Sequence, residues 1–153
     1  MSAEHNLPIT LVPVSELGTG NARGFLTRRP GERAAAYRRR ILAHAERISF
    51  GDEDDKAKVL RYARAMAGGA KFPPIFVLRR AGTYIIDDGQ HRAAAAALLG
   101  RAVTPAVVID VASNTEADRA SGLFHYLELD RGIAARTAMG AVVAAFGRRQ
   151  AAA

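Results

Sequence analysis

The stretch Tyr84-Ile85-Ile86-Asp87-Asp88-Gly89-Gln90-His91-Arg92-Ala93 decides how the chain is expected to fold. Its apolar half predicts a buried strand over Thr83–Ile86, which Asp87-Asp88-Gly89 then breaks. The run of alanines Ala93–Ala97 predicts a helix over His91–Leu99 whose small side chains allow close packing on a sheet. The stretch therefore indicates a strand, a turn and a helix, with its charged residues gathered in the turn.

The turn has the residue types of an anion-binding site. Gly89 permits unusual backbone dihedrals and a close approach to a ligand. The first turn of the following helix offers free amides and the positive end of the helix dipole, and His91 and Arg92 add two side-chain donors. Asp87 and Asp88 are able to hold a metal ion or a ribose hydroxyl beside bound phosphates. The alternative is an ordinary strand–helix turn with a capping aspartate and an exposed His-Arg pair.

The other elements follow from apolar runs and from glycine and proline punctuation. Further strands are predicted over Ile9–Val14, Ile75–Leu78 and Thr104–Val111, and a helix with one basic side over Glu32–Ile48. A second helix is predicted to begin in the acidic run Gly51–Asp55, where carboxylates favour a helix start, and to stop at Gly68. From Thr115 onward the chain is predicted to be helical in two segments divided by Gly132. The order of elements predicts an α/β (α+β) fold.

The chain has 153 residues, a net charge of +7 and no cysteine. This length suits one domain, since domains usually run to about 100–150 residues. The absence of cysteine excludes disulfide frameworks, thiolate zinc sites, iron–sulfur clusters and cysteine nucleophiles. No apolar run approaches the roughly 18 residues of a membrane span, so we expect a cytoplasmic protein with no membrane partner.

The positive charge is concentrated in one segment. Between Arg23 and Arg47, eight arginines against two acids account for +6 of the net charge of +7. Arginine suits phosphates because its planar guanidinium donates two parallel hydrogen bonds. The segment therefore predicts a DNA-binding surface, whose candidate contacts are Arg28, Arg29, Arg33, Arg38, Arg39, Arg40 and Arg47. The alternative is a solvated helix face, because a high-GC coding sequence also favours arginine over lysine.

Three segments resemble the ParB/sulfiredoxin superfamily. They are Phe72-Pro73-Pro74-Ile75-Phe76-Val77, Tyr84-Ile85-Ile86-Asp87-Asp88-Gly89-Gln90-His91-Arg92-Ala93 and Thr104-Pro105-Ala106-Val107-Val108. The middle segment contains the Asp-Gly-Gln-His-Arg signature after which one branch is named. The resemblance covers about Pro8 to Asp110. It implies a small mixed sheet with flanking helices over residues 1–111, including a basic loop and helix at 20–48. A C-terminal helical extension at 112–153 is expected to pack on the same domain.

In these relatives the corresponding turn contacts the phosphates of a nucleotide, which is ATP in some branches and CTP in the partition proteins. Carried over, the implied phosphate contacts are Gly89, Gln90, His91 and Arg92. The implied catalytic candidates are Asp87, Asp88 and His91, with Asp88 as the ligand of a Mg²⁺ ion that accompanies the nucleotide. Sulfiredoxins keep their catalytic cysteine at the position of Gln90, so cysteine-dependent sulfinate reduction is excluded. Partition proteins keep a glutamate there, and the neutral Gln90 is a poorer metal ligand.

The resemblance includes compact plasmid-type relatives such as fertility inhibition factors. It implies a nucleotide-binding protein that acts on DNA in plasmid maintenance or transfer inhibition, and leaves open whether it is an NTPase or a nuclease. The expected partners are a nucleotide and DNA, and a homodimer is compatible with the sequence. Two alternatives stay open: a small-molecule kinase that uses the same turn, like the kinases of free serine, and a non-catalytic interaction module.

Overall fold

The structure is a computed structural model that describes residues 7–18, 25–45 and 55–152. Within these ranges, five strands form one mixed sheet: β1 (Ile9–Pro13), β2 (Leu17–Gly18), β3 (Ile75–Arg80), β4 (Thr83–Asp88) and β5 (Val103–Asp110). Their order across the sheet is β1-β5-β3-β4-β2. The central strand β3 runs parallel to β5 and antiparallel to β4, and β1 runs antiparallel to β5.

Five α-helices cover the two faces of this sheet in the described part of the chain: α1 (Ala34–Ala45), α2 (Asp55–Ala67), α3 (Gln90–Leu98), α4 (Asn114–His125) and α5 (Ala135–Ala152). A π-helical turn, Tyr126–Asp130, follows α4, and a short 3-10 turn, Val14–Glu16, joins β1 to β2. The mixed α/β class predicted from the sequence is confirmed. No helix of the described ranges has the length and apolar character that crossing a membrane requires.

One face of the sheet packs against α1, α2 and α3. The side chains of Ala93–Ala97 are all buried, at 4% exposure or less, among residues such as Ile41 of α1, Val59 of α2 and Val77 of β3. Five consecutive buried residues go all the way round a helix, because an α-helix has 3.6 residues per turn. The alanines therefore let α3 lie between the sheet and its two neighbouring helices, with its N-terminus at the carboxyl end of β4.

The opposite face packs against the C-terminal helices. Phe76 of β3 meets Phe124 of α4 with their ring centroids 4.8 Å apart, and Met139 and Val142 of α5 are buried in the same cluster. Alternate residues of a strand point to opposite faces, so Phe76 lies on this face and Val77 on the other. Helices therefore lie on both faces of the sheet at the end of β4.

Several strand bounds differ from the sequence-based expectation. The strand β4 continues through Asp87 and Asp88, which were predicted to break it. The pair Leu17–Gly18, for which no strand was predicted, forms β2, parallel to Tyr84 and Ile85 of β4. Two residues are too short to show any hydrophobic period, which is why the pattern missed them. In addition, β3 continues to Arg80, because Arg79 and Arg80 pair with Tyr84 and Thr83 up to the turn.

Candidate functional site

The Asp88–Arg92 turn occupies the point where β4 passes into α3. Gly89 joins the two elements in a left-handed backbone conformation, with φ +103° and ψ 26°. A Cβ atom added at this position would lie 2.6 Å from Cγ2 of Ile75 and 2.9 Å from Nη2 of Arg92. Glycine is therefore required here for two reasons: the backbone conformation is left-handed, and a Cβ atom would have no room beside Ile75 and Arg92.

Within the part of the chain that the structure describes, no side chain caps the N-terminus of α3. Its first helical hydrogen bond runs from the Ala93 amide to the Gly89 carbonyl oxygen, at 2.9 Å. The amides of Gln90, His91 and Arg92 precede this bond, so the hydrogen-bond ladder of α3 does not use them. Such a helix end attracts anions through both its amides and its dipole.

Arg92 holds the turn in place. Its Nη1 donates to the carbonyl oxygens of Pro73 and Pro74, at 2.9 and 3.1 Å, and its Nη2 donates to Oδ2 of Asp88 at 3.1 Å. The Arg92 side chain is 15% exposed. These contacts give Arg92 a structural role that the sequence did not reveal, while its predicted contact with phosphate stays a prediction.

His91 joins α3 to α2. Its Nε2 lies 2.7 Å from Oδ1 of Asp55, the first residue of α2, and the Asp55 side chain is only 1% exposed. The sequence suggested that Asp55 begins its helix, and the structure adds that this carboxylate orients the imidazole of His91. The ring is thereby fixed at the border of the cleft described next.

A cleft of about 400 Å³ opens beside the turn. It is lined by Lys58 and Tyr62 of α2, by Phe72 and Pro73, by Asp88, Gly89, His91 and Arg92 of the turn, and by Ala134, Ala135, Arg136 and Met139 at the start of α5. Small-molecule sites have volumes of about 300–1,000 Å³. Three permanent cations and one carboxylate face the cleft, so its charge favours an anionic ligand.

Two aromatic rings form one wall of this cleft. The centroids of Tyr62 and Phe72 are 5.0 Å apart, with the ring planes tilted by 49°. The Nζ atom of Lys58 lies 5.8 Å from the centroid of Tyr62. Aromatic faces of this kind are able to stack on a nucleobase, because each base offers a π surface.

The three predicted catalytic residues do not share one surface. Asp88 and His91 line the cleft, whereas Asp87 lies on the other face of the sheet beneath α4. Ser121 donates its Oγ hydrogen to Oδ1 of Asp87 at 2.8 Å, and Nε2 of His125 lies 3.5 Å from Oδ2, an ion-pair distance. Burial raises the pKa of Asp87, and the Ser121 hydrogen bond and His125 oppose that rise.

Glu128 in the π-helical turn belongs to the same acidic region. Burial raises the pKa of its carboxyl group, and the charge of Asp88 raises it further. For both carboxyl groups, of Asp87 and of Glu128, burial is the larger cause of the raised pKa, and the charge of Asp88 adds to it.

The residues present are compatible with the Mg²⁺ ion that a nucleotide brings. No three histidine, aspartate or glutamate side chains of the described ranges converge to hold a metal by themselves. A Mg²⁺–nucleotide complex needs only one or two protein carboxylates, since phosphates and water supply its other ligands. Asp88 is the carboxylate that lines the cleft, and it would hold such an ion while Arg92 contacts its Oδ2.

The predicted DNA contacts differ in exposure. Five arginines are exposed, and they are Arg28, Arg29, Arg33, Arg38 and Arg39. Arg40 is instead used inside the protein: its Nε and Nη2 donate to the two carboxylate oxygens of Glu32, each at 2.9 Å, and its Nη1 and Nη2 to the carbonyl oxygens of Phe25 and Thr27. The hydrogen bonds from Arg40 and from the Arg29 amide lower the pKa of Glu32 to about 2. Arg47 lies outside the described residues.

The Arg79-Arg80 pair lies at the opposite end of β3 from the Asp88–Arg92 turn. Arg79 forms an ion pair with Asp110, and Arg80 donates to Asn114. Both residues are next to the β3–β4 turn, whereas Gly89 lies beside Ile75 at the start of β3. This pair therefore does not contribute to the cleft.

No family model matches the chain, and no curated protein does either. The site was found from the sequence only in part. Lys58 and Arg136 line the cleft, yet they lie 31 residues before and 47 residues after Gly89 in the numbering, outside any local motif. Their only sequence signal is their position near the ends of predicted helices.

Proposed function

We propose that the chain binds a nucleotide in the cleft between α2, the Asp88–Arg92 turn and α5, as a protein of the ParB/sulfiredoxin type. The observation that carries this proposal is the convergence of an uncapped helix N-terminus, three cationic side chains and two aromatic rings on one cavity. The sequence resemblance supports the same reading, because it places phosphates at this turn.

The lining of the cleft suits both parts of a nucleotide. The amides at the start of α3 suit the phosphates, and Lys58 and Arg136, which line the same cleft, add positive charge. The rings of Tyr62 and Phe72 suit the base, because stacking requires no particular pattern of donors and acceptors. Asp88 also lines the cleft, where it would hold the accompanying Mg²⁺.

A panel of ATP, ADP, CTP and GTP with Mg²⁺ tests this proposal by thermal shift. A ligand at a hundred times its Kd adds about 2.7 kcal/mol of stability, which corresponds to about 5–10 °C in a domain of this size. Lys58→Gln should reduce the shift at a fixed nucleotide concentration. Lys56→Gln removes the same charge from an exposed position of the same helix, away from the cleft, and should leave the shift unchanged.

Two results would contradict the proposal. One is the absence of a shift with every nucleotide in the folded wild-type protein. The other is an equal loss in Lys58→Gln and Lys56→Gln, which would show that the ligand responds to net charge rather than to the cleft.

The exposed arginines support a second part of the proposal, that the protein acts on DNA. Arg38 faces a cavity with Arg28 and with Leu98 and Arg101, at the C-terminal end of α3. The nine residues of α3 separate this end from the phosphate turn by about 13 Å. DNA and nucleotide would therefore use different surfaces of the protein, connected by α3.

The salt dependence of DNA binding tests the proposal that the protein acts on DNA. We expect Arg38→Ala combined with Arg39→Ala to weaken binding of duplexes of any sequence and to lower the slope of log K against log salt by about 2. The matched control is Arg119→Ala with Arg131→Ala, which removes the same charge from exposed positions on and after α4. Equal weakening by the two pairs would remove α1 from the DNA-binding surface.

A small-molecule kinase is the second candidate function. It is favoured by the placement of Asp88 and His91 in the same cleft, where a carboxylate or an imidazole is able to accept a proton from an attacking hydroxyl group. It differs from the first candidate in one measurable respect, since ATP consumption would then depend on a free hydroxyl compound such as serine and would not respond to DNA.

A further inference from the structure

A second cavity adjoins the nucleotide cleft. It has a volume of about 460 Å³ and shares Phe72, Pro73, Arg92 and Arg136 with that cleft. Beyond these shared residues it reaches the start of β5. The Phe72–Pro73 segment therefore lies between two spaces, each of a size that suits one small molecule.

Hydrogen bonds hold in place the segment between α2 and β3, which forms one wall of this cavity. Arg101 donates from Nη2 to the carbonyl oxygen of Met66 at 3.1 Å, and Arg92 donates to the carbonyl oxygens of Pro73 and Pro74. Two arginines thus hold both ends of the segment that connects α2 to β3. Because hydrogen bonds hold this segment at both ends, the cavity is bounded by an anchored part of the fold.

The chemistry of the lining combines apolar walls with positive charge. Its apolar residues are Ile9, Met66, Ala70, Phe72, Pro73, Pro74, Ile75, Ala96, Val103 and Pro105. Among the described residues, the charged ones that line it are Lys71, Arg92, Arg101 and Arg136, and none of them is a carboxylate. Thr104 also lines it and is 7% exposed, one of two buried polar residues in the described ranges.

We propose that this cavity binds an apolar organic anion, a compound of one or two rings or a branched chain with a carboxylate or sulfonate group. The apolar walls would bury the body of the compound, and the cations would attract its charged group. A neutral compound would lose the attraction to the cations, and a free inorganic anion would lose the burial of apolar surface. The inference goes beyond the nucleotide site and does not depend on it.

Two fluorescent probes with the same aromatic framework test the proposal on the full chain without nucleotide. Anilinonaphthalenesulfonate carries a negative charge, and N-phenylnaphthylamine is neutral. We expect saturable binding of the sulfonate at one site per chain, about tenfold tighter than binding of the neutral probe. Circular dichroism at the same protein concentration confirms that the fluorescence comes from folded protein.

Paired substitutions locate the site. Val103→Phe places a ring in the cavity from a position 42% exposed, and should weaken sulfonate binding about tenfold. Leu129→Phe, at a 74% exposed position in the π-helical turn that does not line the cavity, should bind as the wild type does. Lys71→Gln should weaken the sulfonate about threefold and leave the neutral probe unchanged, whereas Lys56→Gln should affect neither.

Three results would overturn the inference: no saturable binding of the sulfonate, equal affinities of the sulfonate and the neutral probe, or equal effects of Val103→Phe and Leu129→Phe. If Val103→Phe fails to fold, the comparison of Lys71→Gln with Lys56→Gln decides in its place. Nucleotide binding is measured separately through Lys58→Gln, so failure of one site is distinguishable from failure of the other.

Discussion

Gly89→Ala is expected to lower the free energy of unfolding by about 3 kcal/mol. A left-handed conformation costs an alanine about 1–2 kcal/mol, and insertion of a methyl group into a packed site typically costs about 1–3 kcal/mol. Both costs apply here, because φ is +103° and the new Cβ would lie 2.6 Å from Cγ2 of Ile75. Ile75 is 1% exposed in the core of β3, so it has little room to move away.

Thermal unfolding followed by circular dichroism measures this effect. In a domain of this size, about 3 kcal/mol corresponds to a decrease in Tm of about 6–12 °C. The matched control is Gly100→Ala, since Gly100 also has a positive φ, of +70°, but its Cβ would meet no atom within 4 Å. The control should show only the smaller cost of the backbone conformation. Equal effects of the two substitutions would contradict the steric argument.

The same substitution bears on ligand binding. A Cβ at Gly89 would also lie 2.9 Å from Nη2 of Arg92, the group that donates to Asp88. Displacement of this guanidinium would alter both the turn and its attachment to Pro73 and Pro74. We therefore expect Gly89→Ala to lose the thermal shift produced by nucleotides, whereas Gly100→Ala should keep it.

Most elements of the fold were predictable because local signals mark them. The apolar run after Pro73-Pro74 and the glycine-bounded alanine helix each lie within a short window, so period and punctuation located both β3 and α3. The strand Leu17–Gly18 carries no such signal. Its pairing with β4 is set by residues almost seventy positions away, which a local pattern does not record.

The candidate site was likewise predictable in its local part and not in its long-range contacts. The turn around Gly89 was recognised because Gly89, Gln90, His91 and Arg92 follow one another directly in the sequence. Its supporting contacts were not, since Asp55 lies 36 residues before its partner His91 and Arg136 comes from α5. Arg40 shows the converse: it looked like one more exposed arginine, and Glu32 converts it into a structural residue. Composition indicates where charge is abundant, but only packing shows which charges remain exposed.

The pair of His91 and Asp55 should contribute strongly to stability. The Asp55 side chain is 1% exposed and accepts a hydrogen bond from an imidazole that is 14% exposed. A hydrogen bond to a charged group contributes about 1.5–3 kcal/mol, and the loss of one partner leaves a buried carboxylate less well compensated. We expect His91→Ala to lower the free energy of unfolding by about 2 kcal/mol.

A double-mutant cycle in urea isolates the pair from other contacts. His91→Ala, Asp55→Ala and the combination of both should show a coupling of about 1 kcal/mol or more, since residues in direct contact are not additive. Asp55→Asn keeps a hydrogen-bond acceptor and should cost less than Asp55→Ala. Additive effects of the two single substitutions would show that the 2.7 Å contact does not stabilise the fold.

The cycle also separates the structural role of His91 from its predicted contact with phosphate. If Asp55 acts only by orienting the imidazole, Asp55→Ala lets the ring of His91 move but keeps its nitrogen atoms available to a phosphate. His91→Ala removes them altogether, and it should therefore weaken nucleotide binding more than Asp55→Ala does. Equal affinities in the two variants, both measured well below their Tm, would assign His91 to the support of the turn and leave the phosphates to the α3 amides, Lys58 and Arg136.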